Sequence, residues 1–566
     1  MRTKNGAAVI FMPVSAEHFR NGCKRTIANR TTVAIDFSLF SFHNHVLFRL
    51  SSSTFQGIFV MKKTTSNLDR RSFLAGSVSS LSAMGAFSAV QSLMAAEPSA
   101  KQTGEIIRLV HIGCGTQGLY ELPALLNEPN IEIVGVADPS RESYDYVHWS
   151  EKGLLQHLRG IIGDPNWKTD APGIPGGRNI MQEVVQRFYE RTRPGYKGKV
   201  VAEEDYRVLL DKVKDVDGVK IMTPDHHHAC QAIDCLKRGK HVIMHKPLGN
   251  KMTEALKVVD LAKESPLATH LMPFNSSAAG NMNQIKAWID AGAIGKLKEV
   301  HNWSNRPVWP QYPVIPTDTP PIPDGLNWDL WLGPAKERPF SPQYTHCVFR
   351  GWYEFGAGAI ADMGYYSLLP VFKALNLDCA TSVSTRFSRV VGIRNGVPRT
   401  VVNDYSYPMA AAYRFEVPYK DGSGKIILQW HDGGMKPPTP PGYESDDLPI
   451  EGMMFLGDEG AIVSGFLRQD PRIVGERAKK FAEVKADPPA ETSDWLQRWI
   501  DCIRGKGKTF AAFENGKEVN ETFNLGSVSL MCQGKKLEYD PKTRRVTNDE
   551  KANKLLTRDY RKGWEI

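Results

Sequence analysis

The sequence predicts a doubly wound α/β domain followed by an α+β domain built on a large, mainly antiparallel sheet. Three observations carry that expectation. From about residue 106 to 275, short apolar runs alternate with amphipathic stretches. A glycine-rich hexapeptide, GCGTQG, follows the first of those runs. Beyond about residue 276, longer runs of period two take over, separated by proline-rich loops.

In order, EIIRLVHIG reads as a buried strand, LYELPALL as a short helix and IEIVGVAD as a second strand. An insertion at about 139–198 then interrupts the pattern. It holds a Gly/Pro-rich loop, GDPNWKTDAPGIPGG, and one helix, NIMQEVVQRFYERTRP. The alternation resumes with KVVA, DYRVLLDKV, VDGVKIMT, HHACQAIDCLKRG, HVIMHK, MTEALKVVDLAKES and THLMPFN, the strand and helix order of a parallel sheet. KLKEVHNWSN, AAYRFEVPY, GKIILQWHDG and EGAIVSG read as strands of the second domain, with helices at about 280–292 and 491–504. The predicted organisation is a Rossmann domain at 101–275, a second domain at 276–545 and a tail at 546–566.

A chain of 566 residues is too long for one core and predicts two or three domains. Its net charge of +9 is concentrated at the amino terminus. Residues 1–60 carry seven Lys or Arg against two acids, and residues 61–100 carry four against two, so the body is nearly neutral. That argues against a nucleic-acid partner. The eight cysteines form no C-x-x-C and no zinc-ligand spacing, which predicts neither a disulfide framework nor a metal site.

From Met61 the chain reads MKKTTSNLDRRSFLAGSVSS, with Arg70 and Arg71 ahead of a mildly apolar, small-residue run to about Ala96. This is the layout of an export signal, and DRRSFL resembles the twin-arginine address. The expected location is therefore periplasmic or otherwise exported, with the twin-arginine machinery as a partner. Residues 1–60 show no clear periodicity and are expected to be a non-native or disordered extension, with Met61 as the initiator.

The hexapeptide Gly113, Cys114, Gly115, Thr116, Gln117 and Gly118 follows a strand and opens a helix, the position of a pyrophosphate-binding turn. Asp138 ends the second strand, where an acid bonds the adenosine ribose. Asp138 favours NAD over NADP by repelling a 2′-phosphate, while Arg141 nearby leaves NADP open. Thr223, Pro224 and His228 follow the next core strand and are expected to line the cofactor. Three consecutive histidines there cannot all reach one ion from a helix. In HVIMHKPLG, His245 and Lys246 stand at the carboxyl end of a strand, where open α/β sheets place ligands.

The glycine turn, TPDHHH, GKHVIMHKPLG and GWYEFGAGAIADMGYYSLLP together resemble the glucose-fructose oxidoreductase and inositol dehydrogenase family, Gfo/Idh/MocA, over about 106–540. WSNRPVWPQ, NWDLWLGP and WHDGGMKPP further resemble its exported branch, abundant in planctomycete-like bacteria. The resemblance implies a Rossmann domain, an open-faced sheet domain that pairs subunits into a dimer or tetramer, and a sugar or polyol beside nicotinamide in the cleft. In the family the strand-end motif usually reads Glu-Lys-Pro; here His245 replaces the glutamate. Its second motif is commonly Asp-x-Gly-x-His; here it is Asp362, Gly364 and Tyr366, so the usual base is missing.

Oxidising an alcohol needs a hydride acceptor and a base of near-neutral pKa. Lys246, desolvated in the cleft, is the favoured proton relay, with Asp362 orienting the hydroxyl or holding the lysine. Tyr366 serves instead if Lys246 stabilises its phenolate. Trp303, Arg306, Trp309, Arg350 and Trp352 are placed either against substrate or in a core or subunit contact, and Asn275 ends another strand facing substrate. The leading expectation is an exported oxidoreductase of a sugar or polyol with tightly held cofactor. A glycosidase or lyase using transient oxidation of a ring carbon is the first alternative, and a non-catalytic carbohydrate-binding protein the second.

Overall fold

The computed structural model describes residues 105–148, 150, 152–272, 277–443, 447–487 and 494–566, and the strands β1 (Asp36–Phe42), β2 (His45–Ser52) and β3 (Phe55–Lys62). These three strands form an antiparallel meander. They fall in the stretch read as a non-native or disordered extension and run on to Lys62. Residues 63–104, with Arg70, Arg71 and the small-residue run, lie outside the described residues, as does Asn275. Among the described residues no helix is long and apolar enough to cross a membrane.

The main unit, residues 98–566, carries two large sheets. The first is made of β4 (Ile107–Ile112), β5 (Ile131–Ala137), β6 (Val201–Glu203), β7 (Gly218–Ile221), β8 (His241–His245) and β9 (Thr269–Met272). All neighbouring pairs are parallel, in the order β6-β5-β4-β7-β8-β9. Helices on both faces explain why β4, β5, β7 and β8 are almost continuously buried. The strand order reverses between β4 and β7, so the crevice above their carboxyl ends is the place for a ligand. The predicted short helix is two, Thr116–Tyr120 and Leu122–Leu126, hinged at Glu121.

The second sheet contains β10 (Leu297–Trp303), β11 (Ser382–Phe387), β14 (Ala411–Pro418), β15 (Lys425–His431), β16 (Gly452–Gly457), β17 (Ala461–Ser464), β18 (Arg472–Ile473), β19 (Leu537–Asp540) and β20 (Arg545–Val546). A hairpin of β12 (Val390–Arg394) and β13 (Val397–Val401) stands apart from it. Only β10 and β15 pair in parallel; the other neighbours are antiparallel. Alternate residues of β14, among them Tyr413 and Phe415, point into a core beneath the helices Gly358–Ala374 and Lys517–Met531. Gly526 lets that second helix approach, since a Cβ there would stand 2.9 Å from the Tyr413 ring.

Three features go beyond the elements read from the sequence. The insertion holds a second helix, Gly153–Ile162, whose Leu154, Leu158, Ile161 and Ile162 are buried. The helix Trp495–Ile503 belongs by sequence to the second domain but packs on the first sheet. Its Leu496, Trp499 and Ile500 join the core of Leu109, Ile133 and Ile243, and Gly218 makes room for the Trp499 ring. At the start of the tail β20 closes the second sheet, and further on Arg558 is buried against Glu254 of the helix Met252–Glu264.

Candidate active site

The glycine turn is built as the sequence implies. Gly113 has φ +94°, and a Cβ there would lie 2.6 Å from the Met222 backbone; at Gly118 it would lie 2.6 Å from the Gly113 carbonyl. Asp138 accepts from the amide of Cys114 at 2.6 Å and from that of Ser140 at 2.8 Å. A carboxylate has about four lone-pair sites, so two remain for ribose hydroxyls. The turn and this acid fit a dinucleotide. Part of the insertion walls the turn: the Tyr146 ring packs on Gly115, Thr116 Oγ1 donates to the Val147 carbonyl at 3.1 Å, and the Gly177 amide bonds the Cys114 carbonyl at 2.9 Å.

The ends of β7 and β8 are tied together. Thr223 Oγ1 bonds Gln231 at 2.8 Å, Pro224 caps the helix Asp225–Lys237, and the His228 ring bridges the carbonyl oxygens of Thr223 (2.8 Å) and Pro247 (2.7 Å). His226 and His227 both turn away from this crevice to the Trp331 carbonyl, at 3.1 and 2.7 Å. They fasten the helix Asp225–Lys237 to the helix Trp328–Leu332.

Lys246 is 2% exposed, and its ammonium contacts the Asp362 carboxylate. Asp362 lies inside the helix Gly358–Ala374, so it does not cap that helix. Arg350 Nε approaches the same carboxylate at 3.3 Å, and Arg306 adds its field. Burial pushes the Asp362 carboxyl up, but Lys246 and Arg350 outweigh it and hold the group below the usual carboxylate range. Burial likewise lowers the Lys246 pKa; Asp362 opposes that shift and Arg350 reinforces it. Burial is therefore the largest reason that this lysine gives up its proton more readily than a free one.

Tyr366 meets Lys246 through its ring. The Lys246 ammonium stands over its ring, 5.0 Å from the centroid, and burial, followed by Asp362 and Glu121, drives its pKa well above the ordinary value. Its backbone is held in an unusual way. Pro370, four residues on in the same helix, has no N–H to give the Tyr366 carbonyl, and the guanidinium of the buried Arg468 donates to it at 3.5 Å and also to the Ser367 carbonyl. We expect Tyr366→Phe to keep kcat within about tenfold of the parent, because no phenolate is lost; steady-state rates check it.

Two of the aromatics take the core alternative. Trp303 is fully buried on the sheet face opposite Asn302, packed with Leu448, Met454 and Val463, and its Nε1 donates to the Pro449 carbonyl at 2.8 Å. Asn302 is the residue of β10 that reaches the helix bearing Asp362, through Ser367. Trp352 is 1% exposed in a cluster with Trp328, Trp331 and Phe355, so it builds core and cannot stack on a sugar. Trp309 stays near the site, with the Arg350 guanidinium 5.8 Å from its ring.

One residue that the sequence did not single out joins the group. Glu121, at the hinge after the glycine turn, takes Lys220 Nζ at 3.0 Å and faces His245 Nε2 at 3.6 Å. Burial alone would raise the Glu121 carboxyl, but Lys220, His245 and the Gln117 hydrogen bond together outweigh it and hold the group at about 2. Burial, then Lys246, pushes the His245 ring down to about 3, so it is neutral near pH 7.

Residues 281–566 match the family described as "Oxidoreductase family, C-terminal alpha/beta domain", and residues 183–271 match "Oxidoreductase family, NAD-binding Rossmann fold". A levoglucosan dehydrogenase from Pseudarthrobacter phenanthrenivorans is 32% identical over 157 residues, 27% of this chain and 39% of that protein. An inositol 2-dehydrogenase 1 from Saccharopolyspora erythraea is 29% identical over 146 residues, 25% of this chain and 42% of that protein. The matches thus span about two-fifths of the length of these relatives. Among solved structures, the WlbA dehydrogenase from Bordetella pertussis, in complex with NADH and UDP-GlcNAcA, has a TM-score of 0.44 at 14% identity, covering 77% of this chain and 99% of that one.

Proposed function

Because the chain belongs to the Gfo/Idh/MocA oxidoreductase family, with its NAD-binding Rossmann domain, we propose that it moves a hydride between nicotinamide and a hydroxyl-bearing carbon of a sugar or polyol. The observation that carries this reading is the sealed Lys246–Asp362 pair at the end of β8, next to the switch point of the parallel sheet. Sugar and polyol substrates are supported by the names of the levoglucosan and inositol dehydrogenases that share sequence with it.

When bound, NAD supplies the hydride acceptor; the glycine turn and Asp138 are the residues that would hold it. Lys246 takes the hydroxyl proton as the hydride departs, and it returns a proton in the reverse direction. Asp362, kept ionised by Lys246 and Arg350, fixes the lysine and restores its charge balance once the ammonium forms. Arg306 and Arg350 offer hydrogen bonds to the other hydroxyls or to a carboxylate. Asp138 favours NAD over NADP, since its carboxylate would repel a 2′-phosphate.

We read the enzyme as exported by the twin-arginine route with its cofactor tightly held, since a compartment outside the cytoplasm offers no free pool. Native mass spectrometry of the purified chain should find bound nicotinamide. Adding neutral sugars, polyols or uronates should then raise the near-ultraviolet absorbance of the reduced form. A chain that neither carries nor takes up nicotinamide would reduce it to a carbohydrate-binding protein. Export is checked separately by a size shift of the precursor that disappears when Arg70 and Arg71 are both changed to Lys.

A further inference from the structure

Behind Lys246 lies a set of ionisable side chains that the proton path does not use. Glu121 accepts from Gln117 Nε2 of the glycine turn at 2.8 Å, takes Lys220 Nζ at 3.0 Å and faces His245 Nε2 at 3.6 Å. Lys220 pairs in register with His111 of β4 and Ile243 of β8, so His111, Lys220 and His245 share one face of the sheet. Lys220 is sealed at 0% exposure, whereas the Glu121 side chain keeps 15%. Of the two partners, Glu121 is the one that keeps some exposure. It stands beside the strand end that carries Lys246, 3.6 Å from the His245 ring.

The sequence motif at this strand end has a histidine where a glutamate is usual, and the structure returns a carboxylate to that histidine from a different element. We propose that Glu121 is a cofactor-binding residue whose carboxylate, anchored on Lys220, faces the charged nicotinamide ring at the end of β8 and holds NAD+ in preference to NADH. Hydride uptake neutralises the ring and removes the attraction, so the carboxylate discriminates between the two forms of the same molecule. A tenfold preference requires only a fraction of the interaction between two unit charges in a partly buried site. The inference rests on the reading that a nicotinamide dinucleotide occupies this crevice.

The test titrates the full chain, stripped of bound nucleotide, with NAD+ and with NADH separately. Glu121→Gln is expected to weaken NAD+ about tenfold and NADH by less than about threefold. That variant leaves Lys220 buried without its anion, which endangers folding. Glu121→Gln/Lys220→Met removes both charges and keeps the core neutral; it should shift the ratio of the two affinities in the same direction, by about threefold. A double variant that binds both nucleotides with the parental ratio overturns the role of Glu121. A parent chain that binds neither overturns the reading of the crevice itself.

Discussion

Lys246→Met is expected to lower kcat by about 10²–10⁴-fold while NADH still binds, because a positioned acid–base group contributes a factor of that order. The methionine fills the same sealed volume, and Asp362 keeps Arg350 at 3.3 Å, so no carboxylate is left without a cation. The pH profile supplies a sharper readout. Oxidation needs the unprotonated amine, so in the parent enzyme the rate rises with pH through the Lys246 pKa, which lies below the ordinary 10.5. The reverse reaction, which needs the ammonium, falls over the same range. In Lys246→Met both limbs should disappear; a surviving limb of parental position would assign the proton to another group.

The second large effect is on stability. Arg558→Ala should cost about 3–5 kcal/mol, since removing one partner leaves the other as an uncompensated buried charge. Arg558 and Glu254 are 3% and 2% exposed, with Nε and Oε1 2.5 Å apart. Arg558 also contacts Asn250, whose side-chain amide donates to the Glu354 carbonyl at 3.1 Å, directly before the helix that carries Asp362. Urea unfolding of Arg558→Ala should therefore show a lowered midpoint, whereas Arg558→Met/Glu254→Leu recovers most of it, because a matched apolar pair incurs no desolvation of charge. Equal loss in both variants would mean that packing, not charge, holds the tail.

Much of this was legible in the chain itself. The alternation of apolar runs identified all six strands of the parallel sheet, and strand-end logic pointed at Lys246. The helix Gly153–Ile162 also announced itself, through leucine and isoleucine at intervals of four and three, but glycine and proline on its flanks masked the period. Trp303 was harder. On a half-buried strand each residue points to one of two faces, and which parity meets the helix is set by pairing with β15 and β16, not by β10 alone. Glu121 carried no local signal, since its role appears only when the hinge between two short helices meets a strand far along the chain. Arg558 was invisible for the same reason.

The helix Trp495–Ile503 has a consequence for how the molecule is made. The parallel sheet is drawn from residues 107–272, yet Trp499 seals one of its faces, with its indole N–H on the Ala268 carbonyl at 3.3 Å. A ribosome must therefore release nearly the whole polypeptide before the nucleotide-binding layer gains its last wall. Until then Leu109, Ile133 and Ile243 lack part of their cover, so the nascent protein cannot mature one half at a time.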